Sequence, residues 1–436
     1  MNQIWLKEWQ RAEVRTSELV LSPADWELAD QLEQQSILAL RGHGSKVRVD
    51  AFAFVGRLQL GNLQITITPK IGTNELLQLV RYAYGTKAPK PFGATQQTLG
   101  GALFQDLLIT ELLREATALW RRGLRRDYRE RREWLSSPRG KICVGDLAGE
   151  LPQASLPCSH HLRSLDIALN RVLLGGLGLG ASLAADRSLR TELRQLAARF
   201  TGQVAPLQLT FDSLSRARRS LGRLTRHYGS ALQLIELLVV GQALSLEDGQ
   251  ARRLPGFVFD MNRFFQRLLS RFLREHLDDF EVRDEHSLRE IFRWERSAHS
   301  KRRPPPTPRA DFAVQRKGSG LGGESWLLDA KYRDLWERSL PREMLYQLTI
   351  YALSQYRADP ATASILYPTV GRDASAQRIE VRDPLSSMPR GYVELHPVVL
   401  SELLAGIGNQ AGKRLAQRLA APSVAPSTPD ASGSVG

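Results

Sequence analysis

The chain has 436 residues, 42% apolar and 24% charged, which is enough apolar material for packed cores and excludes a wholly disordered chain. Sixty Lys and Arg against 46 Asp and Glu leave a net charge of +14, which favours a polyanionic partner, nucleic acid above all. Two cysteines, Cys143 and Cys158, exclude a disulfide scaffold and a four-cysteine zinc site and suit a reducing compartment. No apolar run approaches the roughly 20 residues of a membrane helix. The first ten residues, MNQIWLKEWQ, lack the apolar core of a signal peptide. The expectation is a cytoplasmic protein with no membrane association.

Length suggests about three domains, and the pattern reads as an α+β multidomain chain. Residues 1–95 form a β-rich N-terminal module. Within it, residues 57–69 read as a hairpin: Leu58 and Leu60 lead to a Gly61-Asn62 turn, and Leu63, Ile65 and Ile67 then alternate with polar residues. Residues 96–250 form a helix-rich middle region in which 103–120 carry apolar residues at helical spacing. That stretch runs on into Arg121, Arg122, Arg125, Arg126, Arg129, Arg131 and Arg132, which read as a basic helix face for solvent, DNA phosphate or an acidic groove. The glycine-rich stretch 174–182 lies inside an apolar helical pattern with no strand before it, so it is no nucleotide loop.

Residues 251–405 change character. A helix over 260–275 is capped by Asp260, strands are expected at 280–283, 289–294, 311–315 and 325–332, a helix over 340–357, and a strand at 363–367. Strands interleaved with helices imply an α/β core. Residues 406–436 are the end of a helix and a small, polar, proline-rich tail expected to be disordered.

The chemistry concentrates at Asp311, Asp329 and Lys331. Side chains alternate along a strand, so Asp329 and Lys331 emerge on one face of an otherwise apolar segment, where an acid and an amine are costly unless paired or metal-bound. Asp311 begins the preceding strand of the same hairpin, within sharing distance of Asp329. Two carboxylates and a backbone carbonyl suit Mg²⁺, which would polarise a phosphodiester and activate water, while Lys331 orients that water or offsets phosphate charge. Gln347 and Tyr351 lie four apart on the next helix, hence on one face, and Arg342 stands at its start, three candidates for DNA contact or support of the site. Together these features point to a metal-dependent nuclease.

Seven segments in order resemble the McrC subunits of McrBC-type, 5-methylcytosine-directed restriction systems. They are FVGRLQLGNLQITITPKIG at 54–72, RGLRRDYRERREWLSSPRGKI at 122–142, LDIALNRVLL at 165–174, FDMNRFFQRLL at 259–269, ADFAV at 310–314, LLDAKYR at 327–333 and MLYQLTIYAL at 344–353. The resemblance implies a PD-(D/E)xK restriction-endonuclease-like core in the C-terminal half, with Asp311, Asp329 and Lys331 as its nuclease residues and Asp311 and Asp329 holding Mg²⁺. It implies a DNA-cleaving subunit acting on double-stranded modified DNA with an AAA+ GTPase of McrB type, which binds the GTP. The N-terminal half would engage and stimulate that GTPase through 57–72 and 121–134, with Arg57, Arg125 and Arg126 as contacts. One departure stands out: where related cores carry a glutamate on the helix after Asp260, this chain has Gln266, so the site rests on two carboxylates unless Glu275, Glu290 or Glu295 substitutes. The alternatives are a GTPase-activating adaptor with a decayed nuclease, and a stand-alone RecB-like repair nuclease.

Overall fold

The computed structural model describes residues 2–85, 103–147, 155–245, 251–289, 291–294, 305–318, 325–355, 361–371 and 373–420. The glycine loop between the two site strands, the basic part of the 300–309 connector and the C-terminal tail lie outside these. Among the described residues, no helix is long and apolar enough to cross a membrane. Contacts gather the chain into two units, residues 1–68 with 85–259, and residues 69–84 with 260–436. These differ from the divisions at 95, 250 and 405 that composition suggests.

The first unit opens with β1 (Asn2–Lys7), β2 (Arg11–Arg15), α1 (Pro23–Gln34), β3 (Leu38–His43), β4 (Lys46–Ala51), β5 (Phe54–Leu60) and β6 (Leu63–Thr68). Ser22 and Asp25 form a reciprocal capping box that starts α1. Strands β2, β4 and β3 make one antiparallel sheet; β1 runs parallel to β6, which pairs with β5 as the expected hairpin. Leu58, Leu60, Leu63, Ile65 and Ile67 point into one core with Leu28, Leu32 and Val49. Helix α2 (Thr73–Tyr84) belongs to the second unit.

The first unit resumes with α3 (Phe104–Arg122), β7 (Asp127–Leu135), β8 (Lys141–Ile142), β9 (Leu156–Ser164), α4 (Ala168–Leu183), α5 (Arg187–Ala198), α6 (Phe211–Arg219), α7 (Gly229–Val240), β10 (Ala243–Ser245), β11 (Ala251–Arg253) and β12 (Gly256–Asp260). The stretch 174–182 lies within α4, as expected. The basic run, in contrast, lies on a helix only at Arg121 and Arg122, in the last turn of α3. Helix α3 stops at Gly123, whose φ of +89° favours glycine, and β7 pairs antiparallel with β9 from Asp127 opposite Ser164 to Leu135 opposite Leu156. Residues 127–132 are exposed on both faces of this strand, so no apolar alternation marks it as a strand. Strand β12 completes the sheet beside β5, and here two glycines are required. A Cβ at Gly56 would sit 2.1 Å from the Phe257 carbonyl oxygen, and one at Gly256 2.1 Å from that of Arg57.

The second unit contains α2, α8 (Met261–His276), β13 (Phe280–Ser287), β14 (Arg309–Arg316), β15 (Ser325–Ala330), α9 (Arg342–Ser354), β16 (Thr362–Thr369), β17 (Gln377–Arg382), β18 (Pro389–Val399), α10 (Leu400–Gly406) and α11 (Gln410–Ala420). Its six strands are ordered β13-β14-β15-β16-β18-β17, with β15, β16 and β18 parallel and the rest antiparallel. Leu348, Tyr351 and Ala352 of α9 pack on Ala313, Leu327, Ile365 and Leu395 of the sheet. Residues 69–84 join this unit because α2 packs along α8: Arg271 lies over the Tyr82 ring at 4.6 Å and Arg267 over Tyr84 at 4.5 Å. Of the strand expected at 289–294, the described residues 289 and 291–294 are not in a strand. Strand β13 pairs with β14 as far as Ser287 opposite Arg309, where β14 begins, so among the described residues β14 offers no further partner beyond that point.

Candidate active site

Strand alternation and a short hairpin register bring the acids together. Phe312 lies opposite Leu328 in the antiparallel β14–β15 pair, so Asp311 and Asp329 occupy the next position on each strand. Lys331 follows one residue past β15, its backbone N–H donating to the Leu366 carbonyl at 3.0 Å. The Lys331 Nζ lies 2.9 Å from Asp329 Oδ2 and 3.8 Å from Asp311 Oδ2. The juxtaposition expected from alternation is present.

Each carboxylate has a different environment. Asp329 is 2% exposed, and its Oδ1 is buried with no hydrogen-bond partner among the described residues. Burial, then the nearby charge of Asp311, push its carboxyl up to about 6 against the pull of Lys331. Asp311 is more accessible and firmly held: Oδ2 accepts from the Ala330 backbone N–H at 2.7 Å, and Oδ1 accepts from Gln266 Nε2 at 3.0 Å. Burial works against the Lys331 ammonium, but Asp329 and Asp311 together outweigh it and hold the group above its ordinary value. The Lys331 ammonium is thus paired with both carboxylates.

Neighbouring elements fix this arrangement. Helix α8 buries Met261, Phe264, Phe265, Leu268 and Leu269 on one face, at the three- and four-residue spacing of a helix, and Asp260 caps it by accepting from the Asn262 and Arg263 N–H groups. Asn262 Oδ1 accepts from the Tyr332 N–H at 3.3 Å, tying the chain just past Lys331 to the helix start. On α9, Gln347 Nε2 donates to the Tyr351 hydroxyl at 2.6 Å, and that hydroxyl donates to the Arg309 carbonyl. Tyr351 is buried and Gln347 is half-buried, and the pair supports the start of β14. Arg342 is exposed in the first turn of α9. The Ala330 N–H and Asn262 contributions have no side-chain signature in the β15 segment; only the Asp-Met-Asn helix start hinted at the second.

The remaining predicted residues sit elsewhere. Glu275 is engaged by Tyr82 and Arg271, each at 2.7 Å. Glu290 and Glu295 lie outside the described residues. In the first unit, the Arg57 guanidinium is half-buried and donates to the Leu183 carbonyl at 3.4 Å. Arg125 is held through its backbone, its N–H donating to the Tyr228 hydroxyl and its carbonyl accepting from Asn170, while Arg126 is exposed.

Among the described residues, no three His, Cys, Asp or Glu side chains form a ready metal cage. The pair Asp311–Asp329 nonetheless fits a hard divalent cation that keeps several waters: both donors are carboxylate oxygens, and the buried, unpartnered Oδ1 of Asp329 needs a positive partner. Such a set, with an amine beside it, can polarise a phosphate ester and hold a water against it.

Comparison with known proteins follows the same line. The family described as McrBC 5-methylcytosine restriction system component matches residues 49–368. No curated protein matches. A chain in the refined half-complex from a tetradecameric assembly of Thermococcus gammatolerans McrB AAA+ hexamers with bound McrC is 19% identical. That alignment covers 96% of this chain and 99% of the other, with a TM-score of 0.62, a likeness of fold. A chain of the Thermococcus gammatolerans McrBC complex is 18% identical over 65% of this chain and 90% of its own, with a TM-score of 0.46.

Proposed function

The chain belongs to the McrBC family of 5-methylcytosine restriction system components, and from that premise we propose that it is the McrC-type, DNA-cutting subunit of such a system. Its C-terminal unit is read as a PD-(D/E)xK nuclease core that hydrolyses phosphodiesters with Mg²⁺. The observation that carries this reading is the convergence of Lys331 Nζ on Asp329 at 2.9 Å and Asp311 at 3.8 Å, at the end of an apolar strand.

Asp311 and Asp329 would hold the cation, which supplies Lewis acidity toward the phosphate and lowers the pKa of a water. The Ala330 N–H and the Gln266 amide keep the Asp311 carboxylate aimed at that position. Lys331, charged, donates to the phosphate oxygens as negative charge builds on them, or orients the attacking water. The Tyr351–Gln347 pair keeps β14 in place beneath the reacting groups. Arg342, exposed at the start of α9, is a candidate phosphate contact.

The proposed partner is an AAA+ GTPase of McrB type, to which nucleotide hydrolysis is assigned; the complex that shares the fold holds McrB AAA+ hexamers with bound McrC. Arg126 and the exposed strand β7 of the first unit are the proposed region for engaging it, with double-stranded DNA carrying 5-methylcytosine as substrate. Cleavage of modified DNA by the chain with its partner, GTP and Mg²⁺ tests the reading. Lys331→Ala is expected to abolish cutting while GTPase stimulation persists; cutting at the wild-type rate would refute the assignment. Gln266 favours a second reading, an adaptor that activates the GTPase with a decayed nuclease. Stimulation without cutting under any divalent cation would support it.

A further inference from the structure

We propose that the aromatic, proline-framed cavity at the start of β14 takes a nucleobase of the DNA substrate, swung out of its stack a few nucleotides from the cut. This inference rests on the nuclease reading above and adds to it a contact that holds the DNA strand beside the cleavage centre.

The cavity measures about 530 Å³, within the range of roughly 300–1,000 Å³ that takes small organic groups. Its walls are residues 291–294, which follow β13, and residues 305–308, which lead into β14. The Leu288 N–H donates to the Pro308 carbonyl at 2.9 Å and fastens the chain after β13 to the chain before β14. Pro305, Pro306 and Pro308 each have a fixed φ, which stiffens the second wall against collapse into the gap. On the first wall Phe292 and Trp294 remain 46% and 45% exposed. Two large aromatic side chains left open at one cavity form an apolar patch of the kind that marks a binding site.

Charge and position identify the occupant. The one charged residue lining the cavity among those described is Arg293, which is exposed, and the exposed Arg309 follows Pro308 directly. A nucleotide carries a flat apolar base and an anionic phosphate, which suits aromatic rings set beside arginines. An apolar or proline-rich peptide would leave both cations unused. Asp311 stands three residues past Pro308, about 10 Å along an extended strand. That is about three steps of a DNA strand at roughly 3.4 Å each. DNA held with its scissile phosphate at Asp311 and Asp329 therefore reaches the cavity with a base about three steps from the cut. Leaving the stack has a cost, which is least for an unpaired base, and stacking on the rings of Phe292 and Trp294 offsets it.

Fluorescence anisotropy of the full-length chain without divalent cation tests this on two labelled probes, an oligothymidine and an abasic strand of the same length. The two carry the same phosphates, and only the first carries bases. Trp294→Ala is expected to bind oligothymidine about fivefold more weakly or worse. Its salt dependence should match wild type, because no phosphate contact is lost, and it should bind the abasic strand as wild type does. Phe292→Ala is expected to behave likewise, and Trp294→Phe, which keeps a flat ring, to recover most of the affinity. Wild-type affinity of both alanine variants for oligothymidine, or an equal loss on the two probes, overturns the proposal. So does an altered oligomeric state with DNA affinity intact, which would give the cavity to a second copy of the chain. Cleavage of modified DNA with partner, GTP and Mg²⁺ separates the two levels. If the alanine variants bind as wild type does while Asp311→Asn cuts nothing, only the cavity assignment fails. If Asp311→Asn cuts as wild type does, the nuclease site fails and the inference with it.

Discussion

Tyr351 shows how single side chains hold the site without touching its substrate. Its hydroxyl donates to the Arg309 carbonyl, two residues before Asp311, and accepts from Gln347. Tyr351→Phe leaves a carbonyl and an amide unsatisfied near the sheet, which costs about 1–2 kcal/mol. Denaturant unfolding is expected to show that loss, with slower cleavage as Asp311 loosens; unchanged stability would contradict the assigned support. Asp311, Asp329, Lys331, Gln347 and Tyr351 were readable in the sequence because strand alternation and four-residue helix spacing are local rules. The donors to Asp311 were not. The Ala330 N–H is backbone, and the direction of the Gln266 amide depends on how α8 packs against the sheet, which no local spacing encodes.

Elements were readable where one face is buried and unreadable where none is. The hairpin at β5–β6 alternates cleanly because Leu58, Leu60, Leu63, Ile65 and Ile67 feed one core. Strand β7 carries charged residues on both faces, and only its pairing with β9 makes it a strand. Asp166, in the link from β9 to α4, helps hold that pair: its carboxylate takes Arg171 and Arg129, the latter at 2.8 Å, and accepts from the Ala205 N–H at 3.0 Å. The Arg171 guanidinium, helped by Ala205 and Arg129 against burial, holds this carboxyl well below its ordinary value. A carboxylate lowered on folding contributes stability above its unfolded pKa of about 3.9 and loses it as pH falls through the folded value. Asp166→Asn is therefore expected to cost about 2 kcal/mol at pH 7. The difference from wild type should shrink as pH drops below about 4, and a pH-independent difference in unfolding would rule out the charge as its cause.

At the scale of the molecule, composition indicated a basic, multidomain α+β chain, and the net charge of +14 is in keeping with a DNA substrate. It did not reveal that residues 69–84, between two stretches of the first unit, belong with residues 260–436. That grouping arises from α2 packing on α8, a contact between segments nearly two hundred residues apart, and no compositional shift announces it. The central claim is that two acids and an amine from neighbouring strands converge on one divalent ion. Anomalous diffraction from a crystal of the chain soaked in Mn²⁺ tests it most directly. The account predicts one strong peak about 2.0–2.3 Å from oxygens of both Asp311 and Asp329, beside Lys331, and absent from Asp329→Asn. A peak elsewhere, or none at these two carboxylates at saturating Mn²⁺, would contradict it.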